Sequence, residues 1–262
     1  FILFLFGFAL AGSDIIASKL TSLENSIKQS SNLEQLTTLI EENSKFLEDP
    51  SSKRYTSKLF NLAVKDGHTS VVDLLLKVKK IDIDLTSNEN KAIRLASKNG
   101  HTDIVRMLLK RPEVNPGAHD NQALQLATEN GRTEIVKLLL ERSDVNPEAA
   151  DNEAIRKAAL SGHSDIVRML LERPDVDPAA MENSAIRSAS FNGHANVVRL
   201  LLERPDVNPA AVDNVAIRLA SKNGHADIVQ LLLERPNVNT AALDNDAIRL
   251  ASENGHTDVV RL

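Results

Sequence analysis

The chain has 262 residues, no cysteine, no tryptophan, 3% aromatic residues and a formal net charge of −5. Those values exclude a disulfide framework, a zinc–thiolate site and a cysteine nucleophile, and they argue against a generic nucleic-acid binder. The length allows a large buried surface, and the scarcity of aromatic residues points to thin aliphatic layers rather than one thick core.

Residues 1–12 open on FILFLFGFALA, from Phe1 to Ala11, with no basic residue. The run is too short to span a bilayer as it stands. Ala9-Leu10-Ala11 before Gly12 fits a small-x-small cleavage site, so the segment reads as signal-peptide-like. A truncated membrane anchor and a mistranslated or buried cap segment are the alternatives. The chain is expected to be exported if the signal is real and cytoplasmic otherwise, with membrane contact only if the segment is an anchor. No Asn-x-Ser/Thr sequon occurs.

Residues 13–56 look helical. Leu33, Leu36, Leu39 and Ile40 share a helical face, and Asn25-Ser26-Ile27-Lys28 echoes Asn90-Lys91-Ala92-Ile93. The expectation is a helical N-terminal cap or one degenerate repeat, ending in the turn Asp49-Pro50-Ser51-Ser52.

From 57 to 262 the sequence repeats. A glycine recurs at Gly67, Gly100, Gly131, Gly162, Gly193, Gly224 and Gly255, first after 33 residues and then every 31. A fixed period of this size means a solenoid. About seven units are expected, the last cut at Leu262 within its second helix, so that the protein would continue beyond it.

The unit from Asn214 to Asp244 shows the local logic. Asn214 is expected to be the N-cap of a first helix, with Asp213 at its positive end. Ile217 and Ala220 face one side, and Gly224 stops the helix because glycine enters left-handed backbone without a steric penalty. A second helix is expected from Ala226 or Asp227 to about Glu234, with Ile228, Val229, Leu232 and Leu233 forming a wide apolar stripe. Pro236 cannot continue it, and Val238 offers an apolar anchor in the loop. One such pair cannot bury its apolar faces alone, so neighbours must stack.

These residues resemble the ankyrin repeat, in A-I-R-L-A, G-H, the I-V-x-L-L-L run and D-V-N of the loop. The resemblance covers about residues 57 to 262 and implies an all-α solenoid of helix–turn–helix units with short inter-repeat loops. Two departures stand out. The family's T-P-L-H reads K-A-I-R at Lys91 to Arg94 and V-A-I-R at Val215 to Arg218, and the unit is two residues shorter. Both put the family's projecting β-hairpins in doubt, but not its helix pairs.

Candidates for chemistry follow the period. Six of the seven histidines fall at one place in the unit: His68, His101, His163, His194, His225 and His256. Packed helices lie about 8–10 Å apart, whereas metal ligands converge to about 2 Å from one ion. The row therefore cannot chelate, and each ring is expected to bond backbone near the turn. Arg94, Arg156, Arg187, Arg218 and Arg249 form a second row, broken by Gln125. It could grip phosphate, but an acid precedes the asparagine expected to cap each first helix, at Glu89, Asp120, Asp151, Glu182, Asp213 and Asp244. An Arg–carboxylate ladder between units is the plainer expectation, worth about 0–1 kcal/mol per exposed pair. No catalytic grouping, phosphate loop or metal-spaced cluster stands apart from the period, so neither enzymatic activity nor a cofactor is expected.

The chain can be compared with itself, unit against unit. Three first-helix positions vary freely: Lys91, Gln122, Glu153, Ser184, Val215 and Asp246; Leu95, Leu126, Lys157, Ser188, Leu219 and Leu250; Lys98, Glu129, Leu160, Phe191, Lys222 and Glu253. They lie at i, i+4 and i+7, one helical face. In the family this face is the concave side that binds protein partners. The expected binding residues are Lys157, Leu160, Phe191, Val215, Leu219 and Lys222, an apolar strip with a charged rim that includes Asp246. The leading reading is a non-catalytic scaffold for a protein partner, with no small-molecule substrate and nucleic acid disfavoured. A targeting module of a larger enzyme or effector, or a structural spacer, is the alternative.

Overall fold

The computed structural model describes residues 53–77 and 83–262, together with Ser22 and Asn25. The signal-like segment 1–12 and nearly all of the cap region 13–56 lie outside the described residues. Among those described, all regular structure is helical, in fourteen elements. They are α1 (Lys53–Asp66), α2 (Thr69–Lys77), α3 (Ser87–Asn99), α4 (Thr102–Leu109), α5 (Ala118–Glu129), α6 (Thr133–Leu140) and α7 (Ala149–Leu160). The remainder are α8 (Ser164–Leu171), α9 (Ala180–Asn192), α10 (Ala195–Leu202), α11 (Ala211–Lys222), α12 (Ala226–Leu233), α13 (Ala242–Glu253) and α14 (Thr257–Arg261). Odd-numbered helices are the first of each pair and even-numbered ones the second. The expected second helix around Ile228 is α12, within a residue of its predicted limits.

The chain divides into two compact units, Phe1–Ala118 and His119–Leu262. In the first, α1 packs on α3, α2 packs on α4, and each pair closes on itself. Leu59, Phe60, Leu75, Ile93, Ile104 and Leu108 are among its large buried side chains. In the second unit α7, α9, α11 and α13 pack in succession, as do α6, α8, α10, α12 and α14. The invariant face is the buried one: Ile155, Ala158, Ile186, Ala189, Ile217 and Ala220 are each at most 2% exposed. The loop valines Val145, Val176 and Val207 are buried as anchors, whereas Val238 is half-buried.

From α3 onward the start of each first helix differs from the N-cap expectation. Three successive residues take left-handed backbone before the right-handed helix begins, for example Val212 (φ 53), Asp213 (φ 53) and Asn214 (φ 59). The same turn recurs at Asn88–Asn90, His119–Asn121, Ala150–Asn152, Met181–Asn183 and Leu243–Asn245. The Asn214 amide donates back to the Ala210 carbonyl at 3.0 Å, closing the turn. Its side chain does not cap its own helix. Asn214 Oδ1 instead accepts the Asn239 amide at 2.7 Å, 25 residues downstream. Asn90, Asn121, Asn152 and Asn183 do the same for Asn115, Asn146, Asp177 and Asn208. Those loop residues in turn accept the amide two residues on, as Asn208 Oδ1 does from Ala210 at 3.0 Å. The polar chain thus runs from unit to unit: Asn183, Asn208, Ala210, Asn214, Asn239. Asparagine suits both ends of this bond, since it tolerates left-handed backbone and presents a short acceptor.

The arginine row also differs from the expected ladder. Arg156 donates to the carbonyls of Ala150 and Asp151, and Arg187 to that of Met181. Arg94 bonds the Asn88 carbonyl, and Gln125, which interrupts the row, bonds that of Asp120. Arg94, Arg156 and Arg187 therefore hold carbonyls that a left-handed turn leaves without helical partners, whereas Arg218 and Arg249 turn to carboxylates. One pair between units does join an arginine to an acid: Arg218 Nε meets Asp246 at 2.7 Å. The loops carry a further set of local pairs, Arg142–Asp144, Arg173–Asp175 and Arg204–Asp206. The hydrogen bond from the arginine holds the Asp144 and Asp175 carboxyls below the ordinary carboxylate range.

Candidate functional site

The candidate face begins with the joint between helices. Glycine ends the first helix in left-handed backbone, as Gly193 does with φ +79. The His194 amide then donates to the Ala189 carbonyl at 3.0 Å, which closes the turn. Histidine starts the second helix, and its ring reaches back to the preceding unit. His163 Nε2 donates to the carbonyl of Glu129, His194 to Leu160, His225 to Phe191 and His256 to Lys222, at 2.8–3.2 Å. Within the first unit His101 does the same to Lys65. The structural role expected of the row holds for these five rings, and the carbonyl acceptor requires the proton on Nε2.

Those acceptors are the residues of the third variable position. The histidine row therefore pins the backbone under the side chains expected to meet a partner. Asn223 Nδ2 adds a second bond to the Phe191 carbonyl at 2.8 Å. Both rows are legible in the sequence, but their connection is not. Acceptor and histidine lie 34 residues apart throughout the second unit and 36 apart for Lys65 and His101, one period plus three.

The predicted residues all lie in the second unit. Leu160 is 49% exposed and Phe191 46%. Lys222 is exposed, and Val215 and Leu219 are half-buried. Lys157 is half-buried and already engaged: its Nζ lies 2.9 Å from Glu129 Oε2 and 3.9 Å from Glu153 Oε1. Glu153 in turn pairs with Arg156.

Asp246 was expected on a charged rim, but it is buried, only 5% exposed. Arg218 from the preceding first helix and Arg249 from its own helix enclose it. The hydrogen bond from Arg218, with the nearby charges, holds its carboxyl below the usual range. A buried carboxylate needs such partners to stay charged. The arrangement therefore presents an apolar pair, Leu160 and Phe191, flanked by Glu129–Lys157 on one side and Lys222 on the other.

Among the described residues, no group of three or more His, Asp or Glu side chains comes together to hold a metal ion. No described helix is long and apolar enough to cross a membrane. The face presents exposed carbon at Leu160 and Phe191, the Glu129–Lys157 pair, and backbone carbonyls already held by the histidine row.

Among solved structures, the ankyrin repeat domain of Bcl-3, described as a unique member of the IkappaB protein family, is similar over 78% of this chain and 97% of its own. The TM-score is 0.58 and the identity 22%, so this likeness speaks to the fold. No curated protein matches the chain. A family profile described as Ankyrin repeats (3 copies) matches residues 25–120, 60–151, 124–213 and 186–262. Ankyrin repeats are generally protein–protein interaction modules and not enzymes. With helix pairs stacked in register, a glycine–histidine joint in each and that profile matching copy after copy, the chain belongs to the ankyrin-repeat family.

Proposed function

We propose that this chain is a non-catalytic scaffold that binds a protein partner on the exposed face of its first helices, centred on Leu160 and Phe191. One observation carries the reading. At a position that is otherwise Lys98, Glu129, Lys222 and Glu253, two adjacent units expose large apolar side chains, 49% and 46% accessible. Neither side chain is needed for the stack, because charged residues fill the same place in neighbouring units. An apolar centre with a polar rim is the usual anatomy of an interface, and aromatic side chains are favoured anchors.

Val215 and Leu219 on the next unit extend the strip, while Lys157 and Lys222 border it. Lys157 is held to Glu129, so its contribution is orientation and stem packing more than free charge. Lys222 has its carbonyl fixed by His256 and its side chain exposed, so it can meet an acidic group on the partner.

The test compares Phe191→Ser and Leu160→Ser with the wild type in quantitative capture of the same partner. For a surface anchor, thermal unfolding stays nearly unchanged and affinity falls at least tenfold, about 1.4 kcal/mol. A loss of about 3 kcal/mol of stability, the size of a core truncation, would assign Phe191 to packing instead. Capture left intact in both folded variants would move the partner elsewhere.

A further inference from the structure

We infer that the left-handed turns of the second unit form a separate docking edge for an extended, basic segment of a protein partner, with an apolar residue at every third position. This edge lies on the turns that precede the first helices, and it does not depend on the Leu160–Phe191 face.

The first turn residue is exposed and apolar in three successive units: Met181 (54%), Val212 (43%) and Leu243 (54%). The turn itself does not ask for this. The same place holds Asn88 and His119 in other units. Left-handed backbone favours glycine and asparagine, and a β-branched residue there is a genuine outlier. Val212 at φ 53 is thus both strained and exposed. Neither solubility nor local conformation is served by a run of Met, Val and Leu on this edge.

Each apolar residue is followed by an exposed acid: Glu182, Asp213 and Asp244, with Asp151 after Ala150 in the preceding unit. The nearby arginines do not answer these carboxylates. Arg187 bonds the Met181 carbonyl, while Arg218 and Arg249 converge on Asp246. The edge therefore alternates carbon and negative charge, and its complement alternates carbon and positive charge.

The spacing selects the conformation of that complement. Consecutive units follow at packed-helix distance, about 8–10 Å. A polyproline II strand advances about 9 Å in three residues and returns to the same face. An apolar residue at every third position then meets Met181, Val212 and Leu243 in turn, with a lysine or arginine beside each reaching Glu182, Asp213 and Asp244. A helical partner would reach about the same spacing only with anchors seven residues apart, so a three-residue period in the bound segment is the mark of the extended form.

The probe is a fluorescent peptide of four Leu-Lys-Pro triplets, titrated by anisotropy against the full chain. Controls are the Ser-Lys-Pro and Leu-Glu-Pro peptides of the same length. The Leu-Lys-Pro peptide should bind at least tenfold tighter than either control, about 1.4 kcal/mol, and more weakly as salt screens the carboxylates. The triple variant Met181→Asn, Val212→Asn, Leu243→Asn should fold, since asparagine accepts this backbone, and should lose at least tenfold in affinity. Phe191→Ser should bind as the wild type does. The proposal is overturned by no measurable binding, by equal binding of either control, or by an unaffected triple variant. Loss of binding in Phe191→Ser would also overturn it, because the peptide would then be reading the helix face.

Discussion

At the C-terminal end of a first helix the left-handed residue is always a glycine, whereas at the N-terminal end it is three successive residues that all carry side chains. What surrounds each end accounts for the difference. At Gly193 a Cβ would lie 2.7 Å from Cε1 and 2.9 Å from Nδ1 of His225, so the next unit's ring occupies the side-chain space. At Val212–Asn214 the side chains point to solvent or into a polar bond, and Asn214 and its downstream loop hold the turn. Backbone shape alone does not decide where glycine is needed. The neighbour's approach does.

That contrast can be broken at several points. The largest effect is expected from Gly193→Ala, which combines left-handed alanine with displacement of His225 and loss of its bond to Phe191. Together these cost about 3 kcal/mol, read as a lower denaturation midpoint. Gly255→Ala is the control: nothing lies within 4 Å of its Cβ, so only the conformational cost of about 1–2 kcal/mol remains. Equal losses for the two would show that the histidine ring plays no part in the glycine requirement.

Next comes Asn183→Ala, which removes the acceptor for the Asn208 amide. About 2 kcal/mol should be lost, the cost of a part-buried donor left unmade. Asn183→Asp, which keeps an acceptor, should recover most of it. If alanine and aspartate behave alike in thermal unfolding, the bond between units carries no stability.

His194→Ala should lower stability by roughly 1 kcal/mol, one hydrogen bond to the Leu160 carbonyl. Added zinc should leave the melting temperature where it is, because the histidines bond backbone and not one another. A zinc-dependent rise of several degrees would refute that role.

The smallest effect has the opposite sign. Val212→Asn replaces a β-branched residue at φ 53 with the residue type most at ease there. Stability should rise by up to about 1 kcal/mol. A clear loss would mean that Val212 packs in a way its exposure does not reveal.

Much of the fold was legible because a repeat states each rule many times. Period, glycine stop, apolar stripe and loop valine follow from local chemistry, so the helix pairs and the buried faces of Ile155, Ile186 and Ile217 were readable from residues alone. The exposed helix face was readable too, because it is where Leu160, Phe191 and Lys222 interchange. Asn214 was misread for a physical reason: asparagine before a helix serves equally as an N-cap and as a left-handed residue. Its amide and its side-chain oxygen find their partners at Ala210 and Asn239, and only the second choice fits a loop 25 residues away.

What the sequence by itself determined is therefore everything that depends on spacing within one unit: the elements, their order, the family and the varying face. The tertiary structure decided what depends on two units meeting. It took Asp246 from the surface into a pocket between Arg218 and Arg249, set Arg94, Arg156 and Arg187 on turn carbonyls, and joined His101, His163, His194, His225 and His256 to the exposed residue of the repeat before. It also left Met181, Val212 and Leu243, the first left-handed residue of three successive turns, exposed. Hydrogen-bond geometry within about 3 Å settles such pairings, and a sequence pattern carries no distance between units.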